Sequence, residues 1–228
     1  MDIREFEKLV AASQDAAIRE IVQENPSVIR IKKEARAVEN LRRISEATLE
    51  IANRQGFQAM SMRDLSAATG LSLGAMYAYF SSKEELLALI QEYGRRTVAR
   101  VLGERMLAVP DARTRLRTLI YAHIFLSEIM HAWFYFSYME AKNLGKKDQK
   151  AAIESELFTE GLFAGILEEG SRAGAFADHD TIMTASLIKS ILQDWYLKRW
   201  KYRTRKVSAE DYAAFVTGFV ESYLDRRG

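Results

Sequence analysis

The chain has 228 residues, enough for a sizeable core, and its 48% apolar and 28% charged residues are ordinary for a soluble globular protein. It contains no cysteine, which excludes a disulfide framework and thiolate metal sites and fits a reducing cytoplasm. The formal net charge of +2 is too small a basic excess to speak for nucleic acid, so any such argument rests on local placement.

Helical periodicity dominates, and no segment alternates with the period of two that a strand needs. Residues 1–24 read as a helix ended by Asn25-Pro26, with no apolar core of signal-peptide type in the first ten. Pro26 can open the next helix, because its missing N–H is not needed in a first turn. That helix runs from Ser27 to about Arg54, with Leu41, Ile44, Thr48 and Ile51 as its buried stripe. Gln55-Gly56 ends it, glycine being suited to a left-handed C-terminal position. The second half of this forty-residue extension is basic, through Arg30, Lys32, Lys33, Arg36, Arg42 and Arg43. It reads either as an arm along DNA phosphates or as a solvated face whose Phe6, Leu9, Val10 and Ile18 dock on the protein itself or a second copy.

The segment Ser61 to Phe80 builds a helix-turn-helix from local rules. Ser61 caps a short helix and Asp64 completes the capping box. Gly70 supplies a left-handed turn, Ser72 caps a second helix, and Met76 and Phe80 anchor that helix in the core. Ser72, Leu73, Ala75, Tyr77 and Tyr79 are left for the outer face. A helix, a three-residue turn with glycine and a second helix form the unit that places its second helix in a DNA major groove.

Beyond it, Lys83 to about Leu107 reads as one long helix closed by Val109-Pro110, and Asp111 caps another. The most apolar stretch, Leu116 to Met139, is long enough for a bilayer, yet it carries Arg117, His123, Glu128 and His131. A helix buried in a bundle explains it better than a membrane span. Asn143-Leu144-Gly145 breaks the pattern, and helices follow at about 147–172, 180–203 and 208–225, the last opened by a Ser208/Asp211 capping box.

Residues 44–93 resemble the N-terminal domain of TetR-type (tetracycline-repressor-like) regulators. The resemblance is carried in order by Ile44, Gly56-Phe57, Ser61-Met-Arg-Asp-Leu65, Gly70-Leu-Ser72, Met76-Tyr-Ala-Tyr-Phe80 and Ser82-Lys-Glu-Glu-Leu86. It implies an all-α protein in which a three-helix helix-turn-helix DNA-binding domain precedes a larger helical bundle for effector binding and dimerisation. Residues 1–39 are then an extension, 40–93 the DNA-binding domain and 94–228 the larger domain. It implies that Ser61 and Arg63 touch backbone phosphate, that Ser72, Leu73, Ala75, Tyr77 and Tyr79 face the groove, and that Lys83 clamps a phosphate. Ser61 and Ser72 also read as caps alone, Tyr77 as a packing residue and Lys83 as a solvated charge. Leu73 and Ala75 depart from the family pattern, which favours polar residues there, so base reading shifts toward thymine methyls and tyrosine hydroxyls.

In the larger domain Tyr121, Phe125, Trp133, Phe134 and Tyr138 crowd one helical region and put large side chains all round it. They read as core or as the lining of a pocket for an apolar effector, oriented by His123, Ser127, Glu128 and His131. Trp195 opens a basic-aromatic run to Arg203, read as a dimer edge or as a seat for an anionic amphipathic ligand such as a fatty acid or acyl-coenzyme A. Gly161 and Gly165 within one helix call for close approach of another, and residues 150–172 and 181–203 match the family's dimer helices by order and length. A two-fold homodimer follows from the function, since two recognition helices must meet half-sites of a palindromic operator.

An enzyme is the first competing class, but there is no phosphate loop, nucleophile motif or metal-ligand spacing. Asp178-His179-Asp180 sits where a helix cap is expected. A DNA-binding protein without a ligand, architectural or dependent on a co-regulator, is the second. The reading reached is a cytoplasmic, ligand-responsive repressor that needs no cofactor or metal and does not enter a membrane.

Overall fold

The computed structural model describes residues 3–24, 34–106 and 111–225, and among them every regular element is helical. The expected features at Asn25-Pro26, Ser27, Arg30, Lys32, Lys33 and Val109-Pro110 lie outside the described residues. The chain divides into two compact units, each assembled from separate stretches instead of the three consecutive segments expected. The first comprises Ala11–Thr97 and Ala132–Ala152; the second comprises Met1–Val10, Val98–His131 and Ile153–Gly228.

The elements are α1 (Ile3–Glu24), α2 (Glu34–Gln55), α3 (Met62–Thr69), α4 (Leu73–Met76), α5 (Lys83–Met106), α6 (Ala112–Ile129) and α7 (His131–Glu140). A 3-10 turn (Ala141–Asn143) leads to α8 (Lys146–Arg172), α9 (Thr181–Leu197), α10 (Arg199–Thr204) and α11 (Ala209–Leu224). The ends follow local chemistry. Gly56 closes α2 at φ +87, its N–H bonded to Ala52 O at 2.8 Å. Asp111, Asp180 and Ser208 each accept the backbone N–H three residues on, as helix caps do.

In the first unit, α2 buries Leu41, Ile44, Thr48 and Ile51 as its spacing requires. The part of α1 in this unit buries Ala17, Ile18 and Ile21 and is pinned by Asp15–Arg42 at 2.6 Å and by Arg96 to Glu24 at 2.6 Å. In the second unit Phe6 and Val10 are buried, and the Phe6 ring meets Phe125 edge-on at 6.1 Å. The described part of the extension therefore docks on the chain itself. Arg42 is spent on Asp15 and Glu39, and Arg43 donates to the Thr69 carbonyl, which leaves Arg36 exposed.

Close helix approach occurs at other glycines than those expected. A Cβ at Gly161 or Gly165 would meet nothing within 4 Å, so within one chain no helix uses that stripe. At Gly94 of α5, by contrast, a Cβ would stand 1.7 Å from the indole of Trp133, whose Nε1 donates to Ile90 O at 2.9 Å. The tryptophan lies on the backbone of α5 only because no side chain is there.

The expected single helix over 180–203 is broken at Lys198, with φ −121 and ψ 37. Asp194 explains the break. Its carboxylate accepts from Lys198 at 2.7 Å and from Lys201 and the Tyr202 hydroxyl, drawing the next turn back over the end of α9. Trp195, Tyr202 and Tyr212 then stack with centroids 4.7–5.0 Å apart. Partial burial alone would raise the Asp194 pKa, but the bonds from Lys198, Lys201 and Tyr202 prevail and hold it at about 2.

Two outcomes follow. Gly94→Ala should lower stability by about 1–3 kcal/mol in chemical denaturation, the usual cost of overpacking; an unchanged midpoint would refute the Trp133 contact. Asp194→Asn should cost about 2 kcal/mol near pH 7, for the loss of charge-assisted bonds. Because the folded pKa is depressed, that advantage of the wild type is present above the unfolded pKa of about 4 and lost as pH falls toward about 2. Denaturation curves of both proteins across that window measure it.

Candidate nucleic-acid interface

The helix-turn-helix lies wholly in the first unit. Ser61 Oγ accepts the Asp64 N–H at 3.1 Å while the Ser61 N–H donates to Asp64 Oδ2 at 2.8 Å, the reciprocal box that starts α3. Gly70 turns the chain at φ +66, its N–H bonded to Ser66 O at 2.9 Å. Ser72 Oγ accepts from the Ala75 N–H at 3.2 Å and starts α4. That helix has four residues and turns beyond Met76, where the sequence pattern extends to Phe80.

The outer face is smaller than expected. Ser61, Arg63 and Ser72 are exposed, Leu73 is 38% and Tyr77 49% exposed, and Ala75 is half-buried. Gly74 is exposed and a Cβ on it would meet nothing, so the start of α4 can approach a partner closely. Tyr79 departs from the groove-facing set: it is fully buried, and its hydroxyl accepts from Asn40 Nδ2 at 2.9 Å. Met76 and Tyr79 are three apart, as much a shared-face spacing as the four between Met76 and Phe80, and that was the signal for the core. Burial raises the Tyr79 pKa. Asn40, which sequence reasoning missed, has no local motif; only the fold brings it to Tyr79.

Lys83 also has a different employment. Its ammonium donates to the carbonyls of Phe57 at 2.8 Å, Gln58 at 3.1 Å and Met60 at 2.8 Å, and sits 4.9 Å from the Phe57 ring centroid. It closes the loop between α2 and α3 instead of reaching outward to a phosphate. Arg43, through Thr69 O, ties the end of α3 to α2. These two cations thus position the motif.

The aromatic residues expected around an effector fall into separate groups. Trp133 and Phe134 are buried in the first unit with rings 5.2 Å apart, and Tyr138 in the same unit is exposed. Tyr121, Phe125 and Trp195 belong to the second unit, where Tyr121 meets Phe125 edge-on at 5.8 Å. Trp195 is fully buried, stacked on Tyr212, with Nε1 donating to Glu128 at 3.2 Å. The expected orienting groups are occupied as well. Glu128 holds Arg199 at 2.7 and 2.8 Å, His131 Nε2 lies 3.1 Å from the Tyr196 carbonyl, and Ser127 donates to Ile124 O at 2.9 Å. His123 is buried 3.4 Å from Lys189, and desolvation followed by that ammonium holds its pKa well below the ordinary value. Among the described residues no three His, Asp or Glu side chains converge as a metal site, and no helix is long and apolar enough to cross a membrane.

A two-helix reading head with an exposed serine–leucine–tyrosine face defines a helix-turn-helix DNA-binding regulator. Family models agree: residues 44–90 match the bacterial regulatory proteins of the tetR family, and residues 110–220 match a tetracyclin repressor-like C-terminal domain. The chain belongs to the TetR family, and it is a DNA-binding transcription regulator, not an enzyme. It is 27% identical over 184 residues to the transcriptional repressor KstR of Rhodococcus jostii, covering 77% of this chain and 78% of that one. Among solved structures, PfmR of Thermus thermophilus is 28% identical, with a TM-score of 0.73, over 81% of this chain and all of the other. FadR of Bacillus subtilis, solved with stearoyl-CoA, shares the fold at 18% identity with a TM-score of 0.65, over 80% and 97% of the two chains.

Tyr77 and Tyr79 should separate cleanly. With DNA selected by the protein from a random pool, Tyr77→Ala should weaken binding by about tenfold at unchanged stability, a loss of one recognition contact. Tyr79→Phe should cost about 1 kcal/mol of stability through the Asn40 bond and leave DNA affinity as it is. A loss of affinity in Tyr79→Phe without a loss of stability would return that residue to the interface.

Proposed function

We propose that the protein is a homodimeric repressor that leaves a palindromic operator when a small apolar or anionic amphipathic effector, of fatty-acid or acyl-CoA type, binds its second unit. The observation that carries the DNA half of this reading is the exposed face of Ser72, Leu73 and Tyr77 on a helix whose back is buried. Ser61 and Arg63 contact phosphate at the start of α3, and Leu73 with Ala75 offers methyl contact to thymine.

Dimerisation is supported by an apolar surface on α9 and α11. Tyr212 near the start of α11 bonds to Ile191 O at 2.8 Å and stacks on Trp195 near the end of α9, so the two helices run antiparallel. Their stripes Met183-Leu187-Ile191 and Phe215-Phe219-Tyr223 therefore lie side by side. Phe215 is 74% and Phe219 59% exposed, and exposed apolar residues extend onto α8 at Ile153 and Leu157. A contiguous apolar face of this kind marks an interaction surface, and an isologous contact between copies buries it twice. This replaces the expected helix pair 150–172 and 181–203 with α9 and α11.

The effector half is supported by the FadR likeness with its stearoyl-CoA and by the basic-aromatic run from Trp195 to Arg203. Release requires that effector and DNA favour different conformers. α5 is the covalent element between the two units, with Lys83–Thr97 in the first and the rest in the second.

Phe219→Glu should yield monomers in sedimentation and lose about a hundredfold in operator affinity, since bivalent engagement is gone. Monomers of undiminished affinity would end the dimer reading. Titration of the DNA complex with acyl-CoAs and fatty acids tests the other half: a ligand that binds tightly yet leaves DNA affinity unchanged would sink the release mechanism.

A further inference from the structure

The second unit contains an open cleft of about 600 Å3 between α9, α10 and α11. Its volume lies within the roughly 300–1,000 Å3 of small-molecule sites. The walls are mostly apolar, from Ile191, Val207, Phe215 and Phe219, with Tyr202 behind them and Arg205 in the lining. The tyrosine hydroxyls are already engaged, Tyr212 donating to Ile191 O and Tyr202 to Asp194. Asp211, also in the lining, is taken by the Ser208 hydroxyl at 2.6 Å and the Ser208 N–H at 3.2 Å.

Arg205 is different. Lys198 and Lys201 are held by Asp194 and Arg199 by Glu128, whereas among the described residues no carboxylate lies within ion-pair distance of Arg205. The turn that carries it is well defined: Val207 N–H bonds to Tyr202 O at 3.0 Å and Lys206 N–H to Arg203 O at 3.1 Å. Lys206 is held there at φ +54, a left-handed backbone that a lysine adopts at a cost. An apolar cleft is thus furnished with one free, planar, two-pronged cation. Its charge complement is a single carboxylate on an apolar chain.

From this we propose that the cleft is the effector site, taking a fatty carboxylate with its head on Arg205 and its chain along Ile191, Val207, Phe215 and Phe219. The assignment rests on the effector reading above and gives it a place. The site is incomplete in one chain, because Phe215 and Phe219 belong to the stripe that a second copy covers. In the dimer that copy roofs the cleft, so the ligand lies at the subunit interface and acts on the geometry that sets half-site spacing. One guanidinium suits one carboxylate, and a coenzyme A head with its several phosphates is the disfavoured source of negative charge.

The test is calorimetric titration of the full chain with dodecanoate, dodecanol and dodecanoyl-CoA. The wild type should bind dodecanoate about tenfold or more tightly than dodecanol, the value of one charge-assisted pair. Arg205→Gln should remove that preference while keeping the dodecanol affinity. Val207→Trp, at a half-buried position, should block all binding with the thermal midpoint kept. A preference for dodecanoate that survives Arg205→Gln overturns the site and leaves the effector reading standing. Tighter binding of dodecanoyl-CoA overturns the carboxylate assignment. Failure of all three ligands to bind the wild type overturns both site and effector class, and loss of dimer in Val207→Trp alongside it shows the second copy filling the cleft.

Discussion

A recognition helix of four residues has almost no stability of its own, so its orientation depends on what lies behind it. Here that is a buried cluster of Met76, Tyr79 and Phe80, fixed laterally by the Asn40–Tyr79 hydrogen bond. Asn40 stands on α2, so the helix that supports the motif also sets the angle at which Leu73 and Tyr77 face outward. Lys83 and Arg43 serve the same end, each donating to backbone carbonyls left open at a loop or helix end. Cations that could have held DNA are spent on holding the reading head. Affinity for phosphate then falls to Arg63 and to whichever basic residues of the extension stay outside internal pairs.

The second unit solves a similar problem with carboxylates. Asp194, Glu128 and Glu221 each gather cations from a neighbouring helix or turn, and each sits at a place where the chain changes direction or two helices must keep register. Glu128 accepts from Trp195 and Arg199 together, and the Arg199 guanidinium lies 4.3 Å over the Trp195 ring. The aromatic run from Trp195 to Tyr202 is therefore partly inside. Trp195 and Tyr202 stack with Tyr212, while Trp200 faces outward. This is why its charge pattern reads differently in three dimensions: most of its cations are already neutralised, and Arg205, just past its end, is not.

One buried charge stands apart. Lys189 is almost wholly enclosed, 3.3 Å from Glu156 and 3.4 Å from the imidazole of His123. Desolvation lowers its pKa and the Glu156 carboxylate opposes that shift. A buried ion pair adds little net stability against an apolar substitute, but losing one partner is costly because the other is stranded. The pair therefore acts mainly on register, tying α8 to α9 beside a neutral histidine.

How much of this was legible in the sequence varies with the range of the interaction. The caps at Ser61, Ser72, Asp111, Asp180 and Ser208, the turns at Gly56 and Gly70, and the helical character throughout follow from contacts within four residues, so sequence determined them. The reading-head motif belongs with these. What only the tertiary structure decided depends on partners far along the chain: the burial of Tyr79 by Asn40, the employment of Lys83 and Arg43, the docking of Phe6 and Ile18, and the separation of Trp133 and Phe134 from Tyr121 and Trp195. The close approach at Gly94, absent at Gly161 and Gly165, is of the same kind. A side chain's residue type sets what it can bond, but which atoms reach it is settled by packing, and packing is not a local property.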